Sequence, residues 1–285
     1  MKQVRPKKNL GQHFLTDLNV AQRIADTVDA CPDIPILEIG PGMGVLTQYL
    51  ATKGRELKVV EIDRESVAYL REHFSGSGDG ALNSDLRSSS PSVRPSTLDQ
   101  DWIISADFLR MDLTTVFDGR QFVLTGNYPY DISSQIFFKM LDNKDLIPCC
   151  TGMIQREVAQ RMAAVPGNKQ YGILSVLMQA WYDVEYLFTV DEDVFNPPPK
   201  VKSAVIRLTR NQTQDLGCDW PLFKRLVKTV FNQRRKMLRV SLRQMFPGGE
   251  PCEGFYSLDI MTKRPEQLTI PQFVELTNLV AENGE

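Results

Sequence analysis

The sequence predicts an α/β protein with a doubly wound sheet, followed by a small α-helical domain. Two observations carry this prediction. Residues 34–63 read as a strand, a glycine loop, a helix and a second strand ending in acidic residues, which is how doubly wound sheets begin. From about Asn211 the pattern is helical, without strand signals. We therefore expect one domain over residues 1–210 and a second over residues 211–285.

The glycine loop Gly40-Pro41-Gly42-Met43-Gly44 follows the first predicted strand and leads into a helix. Such a loop leaves backbone N–H groups open to a ligand, although glycine also serves ordinary turns. Glu61 comes 21 residues after Gly40, near the spacing at which an acid binds ribose hydroxyls. Val45 occupies the last position of the dinucleotide fingerprint, where glycine is expected. A nucleoside without phosphates is therefore expected, and S-adenosylmethionine fits.

The other elements follow in order along the chain. Periodicity predicts helices over residues 17–28, 65–74, 132–141, 156–161 and 172–181. It predicts strands over residues 57–63, 102–105, 122–124, 152–155, 184–190 and 204–208. Residues 75–100 are rich in Ser, Gly and Pro, so we expect a flexible surface insertion there.

The turn after the strand at residues 122–124 is the strongest candidate for chemistry. Asn127 stands there just before Tyr128-Pro129-Tyr130, at the strand's carboxyl end, where open α/β sheets bind ligands. Pro129 fixes its own φ and pushes Tyr128 towards an extended conformation. The Asn127 amide accepts hydrogen bonds without taking up a proton, and Tyr130 offers a face for stacking a nucleobase. Taken alone, an ordinary turn explains these residues equally well.

A second candidate lies at the end of the strand at residues 102–105. Asp107 could accept a hydrogen bond from the adenine amine of a nucleoside ligand, with Phe108 beside the ring. A turn or a helix N-cap is the alternative role for this aspartate.

Charge is unevenly distributed in this chain, whose net charge is −2. Residues 223–243 contain eight Lys or Arg and no acid, and the first eight residues are also basic. We read residues 223–243 as a basic helix that could follow an RNA backbone, because phosphate binding needs positive charge only locally. A merely solvated helix face is the alternative.

The cysteines, the histidines and the hydropathy of the sequence exclude several classes of protein and of site. The five cysteines, Cys31, Cys149, Cys150, Cys218 and Cys252, are irregularly spaced, so we expect free thiols in a reducing cytoplasm. His13 and His73 are the only histidines, which excludes a His-rich metal site, and no metal is expected. The sequence contains no apolar run long enough to span a membrane and no signal-peptide core, so a cytoplasmic protein is expected.

Seven stretches, in this order, resemble the small-subunit ribosomal RNA adenine dimethyltransferases, the family whose loss confers kasugamycin resistance. They are N-L-G-Q-H-F-L at 9–15, L-E-I-G-P-G-M-G at 37–44, V-E-I-D at 60–63, A-D at 106–107, N-Y-P-Y at 127–130, F-N-P-P-P-K-V-K-S at 195–203 and F-N-Q-R-R-K at 231–236. The resemblance implies a Rossmann-like class I methyltransferase domain with a C-terminal helical RNA-binding domain. It implies S-adenosylmethionine as methyl donor and two adjacent adenosines near the 3′ end of small-subunit rRNA as substrate. A role in small-subunit biogenesis and binding to the immature 30S subunit follow, and a monomer is the default.

The resemblance also implies roles for individual residues. The cofactor contacts fall on His13, Leu15, Gly40, Gly42, Glu61, Asp107 and Asn127. The catalytic set is Asn127, Pro129, Tyr130 and Phe195, and the RNA contacts are Arg234, Arg235 and Lys236. Tyr130 and Phe195 would stack an extruded adenine while the Asn127 side-chain oxygen and the Pro129 carbonyl accept from its N6 amine.

Three positions depart from the family pattern. His13 stands where many members have Asn, Tyr128 replaces the usual Leu, and the insertion at 75–100 is longer than expected. Two rival functions stay open at this point. The first is a large-subunit rRNA adenine methyltransferase of the macrolide-resistance type, which shares the Asn-x-Pro-Tyr motif. The second is a non-catalytic ribosome assembly factor, which would need only the basic segment.

Overall fold

A computed structural model describes residues 13–74, 101–246 and 251–283 of the chain. The predicted insertion at 75–100 and the basic start of the chain lie outside these residues. The chain divides into two compact units. The first comprises Met1–Ala159 and Glu185–Thr209, and the second comprises Gln160–Val184 and Arg210–Glu285. The chain thus crosses between the units near the predicted boundary at residue 210, and also twice before it.

A seven-stranded sheet forms the centre of the first unit and confirms the predicted α/β class. In chain order its strands are β2 (Ile36–Ile39), β3 (Leu57–Glu61), β4 (Ile103–Ser105), β5 (Val123–Thr125), β6 (Cys149–Gln155), β7 (Tyr182–Val190) and β9 (Ser203–Arg210). Their spatial order is β4-β3-β2-β5-β6-β9-β7. The pairs from β4 to β6 are parallel, and β9 runs antiparallel to β6. The strand order reverses between β2 and β5: β3 and β4 follow on one side of β2, and β5 and β6 lie on the other. Parallel sheets bind ligands at such a point, at the carboxyl ends of the strands.

Helices connect these strands much as predicted. The helices of this part of the chain are α1 (Leu18–Asp26), α2 (Thr47–Leu50), α3 (Arg64–Phe74), α4 (Ser133–Asp142) and α5 (Arg156–Met162). Asp17 caps α1 by accepting from the backbone N–H groups of Asn19 and Val20. Ile24, Val28 and Ile36 are fully buried in the hydrophobic cluster between α1 and the sheet. This packing fixes the segment that leads into the first helix.

A two-stranded sheet was not predicted. Strands β1 (Phe14–Leu15) and β8 (Phe195–Asn196) pair antiparallel, with Phe14 opposite Asn196 and Leu15 opposite Phe195. Two residues are too few for an alternating pattern to show in the sequence. The pairing brings the N-L-G-Q-H-F-L and F-N-P-P-P-K-V-K-S stretches together.

The second unit is helical, with α6 (Ile173–Gln179), α7 (Trp220–Asn232), α8 (Leu238–Ser241) and α9 (Ile270–Asn283). Phe223, Phe231 and Phe273 form its aromatic core. Residues 160–184 join this unit through polar contacts that sequence patterns do not reveal. The Tyr171 hydroxyl donates to the Leu268 carbonyl at 2.9 Å, and the Gly167 N–H donates to the Glu266 carbonyl at 2.7 Å.

The prediction of one basic helix over residues 223–243 is wrong. Helix α7 ends at Asn232, where Gln233 leaves helical geometry with φ −117° and ψ 38°. Arg234, Arg235 and Lys236 therefore lie in a turn between α7 and α8.

The expectation of free thiols is wrong for two of the five cysteines. Cys31 and Cys149 form a disulfide, with their Cα atoms 5.8 Å apart. The two residues are separated by 118 positions, so their proximity is a property of the fold and not of spacing. The neighbouring Cys150 is a buried free thiol, and burial raises its pKa to about 12.

Candidate functional site

A cavity of about 260 Å³ opens at the carboxyl ends of β2, β3, β4 and β5. It lies in the first unit, and its lining includes most of the predicted cofactor and catalytic residues. Those that line it are His13, Leu15, Gly40, Gly42, Glu61, Asp107, Asn127, Pro129 and Tyr130. Elements far apart in sequence thus converge where the topology predicts a ligand.

The glycine loop and Glu61 form one wall of this cavity. The Glu61 carboxylate, at the end of β3, accepts from the Gly42 N–H at 3.1 Å and from the Asp63 N–H at 2.9 Å. Burial raises the pKa of Glu61, while these backbone donors act in the opposite direction. Gly42 has φ +56°, and a Cβ there would meet the Phe14 ring at 3.1 Å. The loop therefore depends on glycine both for its conformation and for its approach to β1.

Glu38 is a buried acid that sequence reasoning missed. It is 1% exposed and lines the cavity floor, and its carboxyl accepts from the Thr47 hydroxyl at 2.7 Å. Burial raises the pKa of Glu38 to about 8, and the nearby Glu61 adds to the rise. An acid inside an apolar strand directly before a glycine loop was the available signal, because strands seldom bury a charge without purpose.

Asp107 makes the turn contact considered for it, and a contact with an adenine amine stays a prediction. Its carboxylate accepts from the Leu109 N–H at 2.9 Å, which is a turn contact, and it also lines the cavity. Phe108, which is 4% exposed, lines the same wall. An acceptor beside an apolar ring suits the edge and face of a purine.

The Asn127 amide is oriented by the N-terminal segment. Its Nδ2 donates to the backbone carbonyl of His13 at 3.2 Å. The Asn127 backbone forms a parallel bridge with Met153 of β6, which ties the turn to the central sheet. Because Nδ2 is engaged, the amide presents its oxygen as the acceptor on its other side.

Tyr128 and Pro129 anchor the turn from opposite sides. Tyr128 is fully buried, and its hydroxyl donates to the Thr151 carbonyl at 3.0 Å. A Cβ on Gly152 would meet the Tyr128 ring at 2.7 Å, so this glycine makes room for the larger side chain. The Pro129 carbonyl accepts from the Ile132 N–H at 3.3 Å, which leaves its second lone pair for a ligand.

The Tyr130 side chain has contacts on one face of its ring and at its hydroxyl. Its ring stacks on His13, with centroids 5.5 Å apart and an interplanar angle of 28°. Its hydroxyl forms a hydrogen bond with the Ser203 hydroxyl. His13 itself is fixed by a 2.8 Å hydrogen bond from Nδ1 to the Pro197 carbonyl, so Nδ1 carries a proton.

Phe195 is not brought into the cavity. It lies in β8, is 4% exposed and packs in the hydrophobic cluster with Leu15. It is not part of the cavity lining, so a stacking role for Phe195 stays a prediction.

The three predicted RNA contacts differ in their surroundings. Arg234 donates to Glu266 at 2.9 Å and to the Asn168 carbonyl at 3.1 Å, which are contacts within the second unit. Arg235 and Lys236 are exposed, and no ion pair joins either to any residue in the described ranges. Arg239 and Arg243 are exposed on the same short segment.

Within the described ranges, no helix has the length and apolar character needed to cross a bilayer. The same residues contain no cluster of three His, Cys, Asp or Glu side chains that could hold a metal ion.

Comparison with known proteins identifies relatives over almost the whole chain. A family profile described as "Ribosomal RNA adenine dimethylase" matches residues 3–281. "Ribosomal RNA small subunit methyltransferase A" of Bacteroides fragilis is 64% identical over 280 residues, covering 98% of this chain and 94% of the relative. The protein of the same name from Flavobacterium johnsoniae is 46% identical over 284 residues, covering 100% and 99%.

Solved structures share the fold. A dimethyladenosine transferase from Plasmodium falciparum superimposes with a TM-score of 0.74 at 22% identity, covering 95% of this chain and 98% of that one. The 23S rRNA methyltransferase ErmE superimposes with a TM-score of 0.62 at 27% identity, covering 94% and 99%.

Proposed function

Because the chain belongs to the ribosomal RNA adenine dimethylase family, we propose that it transfers methyl groups from S-adenosylmethionine to N6 of two adjacent adenosines near the 3′ end of small-subunit rRNA. The product is N6,N6-dimethyladenosine. One observation supports this more than any other. The Asn127 side chain lines the cavity and uses its amide nitrogen to donate to the His13 carbonyl, so its amide oxygen is left to accept from a ligand.

The cavity residues fit the donor. Glu61 stands at the end of β3 to meet ribose hydroxyls, and the Asp107 carboxylate can accept from an adenine amine. Gly40 and Gly42 have positive φ, which favours glycine, and with no Cβ they leave the backbone of the loop open to the donor. When bound, S-adenosylmethionine supplies an activated methyl group on a sulfonium.

The Asn127 turn holds the acceptor base. An extruded adenine would lie on the free face of Tyr130, with its N6 donating to Asn127 Oδ1 and to the Pro129 carbonyl. These two acceptors draw the lone pair of N6 out of conjugation and strengthen their hold as positive charge develops there. The resulting ammonium is acidic and loses its proton to water, so no strong base is needed. After the first transfer one N–H remains to be held for the second.

The second unit supplies the proposed contact with the RNA backbone. Arg235, Lys236, Arg239 and Arg243 are exposed cations on one short segment, and cations of this kind exchange counterions with phosphates. Arg234 is assigned instead to the stability of this unit, because its guanidinium is already paired with Glu266. The negative net charge of the chain does not prevent this segment from binding phosphates of the RNA.

The immature 30S subunit is the proposed partner, because a ribosomal substrate must be reached while its 3′ end is accessible. A monomeric enzyme acting in the cytoplasm completes the proposal. Light scattering of the purified protein tests the monomer, and co-sedimentation with immature and mature subunits tests the partner.

Methylation mapping tests the function itself. Immature small subunits are incubated with the protein and labelled S-adenosylmethionine, and dimethylated adenines are located by primer-extension stops. We expect two adjacent stops near the 3′ end, absent with Asn127→Ala. Labelling of large-subunit RNA instead would favour the macrolide-resistance activity, whose fold representative shares this architecture. Binding without labelling would favour an assembly factor.

A further inference from the structure

Strand β6 holds the Asn127 turn on one of its edges. Asn127 forms a parallel bridge with Met153, and the Tyr128 N–H donates to the Met153 carbonyl at 2.9 Å. The Met153 N–H in turn donates to the Gly126 carbonyl at 2.9 Å. The backbone that leads to Tyr130 is therefore fixed relative to the middle of β6.

The other edge of β6 pairs with strand β9, whose first residue is Ser203. Ser203 lies opposite Gln155. Just beyond this pair, the Arg156 N–H donates to the Lys202 carbonyl at 2.9 Å. Ser203 is fully buried and is not part of the cavity lining. Its hydroxyl bonds to the Tyr130 hydroxyl. The backbone before Tyr130 is thus bonded to β6, and its phenol oxygen is bonded to β9, the strand that pairs with the other edge of β6.

We propose that Ser203 is a positioning residue for methyl transfer, which holds the Tyr130 ring in one place for the target base. This inference rests on the proposed function. A tyrosine ring fixed only at Cβ turns about two side-chain torsions, and ordering it at each encounter costs free energy. A hydrogen bond at the para oxygen restricts χ1 and so fixes where the ring lies before the base arrives, while rotation about χ2, whose axis passes through that oxygen, is restricted by the His13 stack. Displacement of a stacking platform by about 1 Å is enough to lower a rate severalfold or more.

His13 completes the restraint from the side. Its ring covers one face of Tyr130, so the target base has the opposite face. The stack alone leaves sliding within the ring plane open, and the Ser203 bond prevents that motion. Ser203 therefore acts on the base through Tyr130 and touches neither base nor donor.

A double-mutant cycle in kcat/KM for the immature subunit tests the proposal. We expect Ser203→Ala and Tyr130→Phe each to lower kcat/KM by about tenfold, the size of one hydrogen bond. We expect Ser203→Ala to have no further effect, within about twofold, in the Tyr130→Phe background, because the bond is already absent there. Donor affinity, measured by calorimetry, should be unchanged in all three variants. The ratio of monomethyl to dimethyl product should rise in both single variants, since the second transfer depends most on ring placement.

A matched pair elsewhere serves as control. The Tyr186 and Thr189 hydroxyls form a 2.7 Å bond on the exposed part of β7, away from the cavity lining. Tyr186→Phe and Thr189→Ala should leave kcat/KM and the product ratio unchanged.

The result that would overturn the proposal is additive loss in the cycle, or wild-type kcat/KM in Ser203→Ala. If Ser203→Ala does not fold, Tyr130→Phe is the deciding variant, because it removes the same hydrogen bond while Ser203 stays in place. Wild-type kcat/KM in Tyr130→Phe would also overturn the proposal. Failure of the wild-type protein to methylate any RNA would instead refute the proposed function, so the two failures are distinguishable.

Discussion

The side-chain nitrogen of Asn127 lies 3.2 Å from the backbone oxygen of His13, across 114 positions of sequence. This contact decides which end of the amide faces a ligand. A backbone carbonyl can only accept, so the amide nitrogen must point towards it. The residue at position 13 therefore orients Asn127 through its main chain, while its side chain contacts Tyr130 and Pro197. The contact with Asn127 therefore does not require a particular side chain at position 13.

Loss of the Asn127 amide should affect chemistry and leave the fold intact. We expect Asn127→Ala to lower kcat by roughly 10²-fold or more, because it removes an acceptor whose hold strengthens in the transition state. Donor affinity should stay within about tenfold. The measurements are single-turnover methylation and donor calorimetry. Asn278→Ala is the matched control, since its Nδ2 also donates to a backbone carbonyl, that of Gly217 at 3.0 Å. A near-wild-type rate for Asn127→Ala would remove this residue from the mechanism.

Protonation of Glu38 should make the stability of the protein fall as pH rises. Burial raises its pKa from 4.5 to about 8, so between these values the folded state holds a proton that the unfolded state releases. The free energy of unfolding therefore declines across this window, by an amount on the order of 5 kcal/mol for this group.

Glu38→Gln keeps an oxygen for the Thr47 hydroxyl and removes the ionisation. We expect the difference in melting temperature, variant minus wild type, to increase from pH 5 to pH 8. Thermal unfolding of both proteins in parallel across this range measures it. A constant difference would mean that Glu38 is ionised in the folded protein throughout.

Charge reversal in the turn after α7 should weaken RNA binding without lowering the stability of the protein. We expect Arg235→Glu with Lys236→Glu to weaken RNA binding and to lower its salt slope by about one for each phosphate that the variant no longer neutralises. The melting temperature should not change, because both side chains are exposed. Filter binding over a salt series measures the effect. Arg64→Glu with Arg71→Glu, two exposed cations on α3, controls for net charge.

Arg234→Ala should behave differently from its two neighbours. It removes the hydrogen bonds to Glu266 and the Asn168 carbonyl, and we expect the second unit to be destabilised by about 1–2 kcal/mol. Urea unfolding measures this. If Arg234→Ala instead unfolds like wild type and weakens RNA binding, the arginine belongs to the interface.

Gly152 should tolerate no side chain. A Cβ there would meet the Gly126 carbonyl oxygen at 2.4 Å and the Tyr128 ring at 2.7 Å, and its φ is +148°. We expect Gly152→Ala to destabilise the first unit by about 2–4 kcal/mol. Gly54→Ala is the control, because it also has positive φ but no atom within 4 Å of the new Cβ. Similar losses of unfolding free energy in the two variants would show that backbone strain, and not the packing of Tyr128, governs the site.

Long, strongly patterned segments made most of the sheet predictable. The strand, glycine loop and helix around Gly40 follow from local rules, as does the position of Asn127 at a strand end. The pairing of β1 with β8, the Cys31–Cys149 disulfide and the Arg234–Glu266 ion pair join residues far apart, and no local pattern records them. The end of α7 was missed because basic residues continue past it. The burial of Phe195 depends on β8, whose two residues give no periodic signal.

The β1–β8 pairing has a consequence during translation. Phe14 pairs with Asn196, so a nascent chain that ends before Asn196 has no partner that holds the His13 carbonyl beside Asn127. The glycine loop and its neighbouring strands can form from local segments much earlier. The complete cavity, with the His13 and Leu15 segment in place, should therefore form only after Asn196 has left the ribosome.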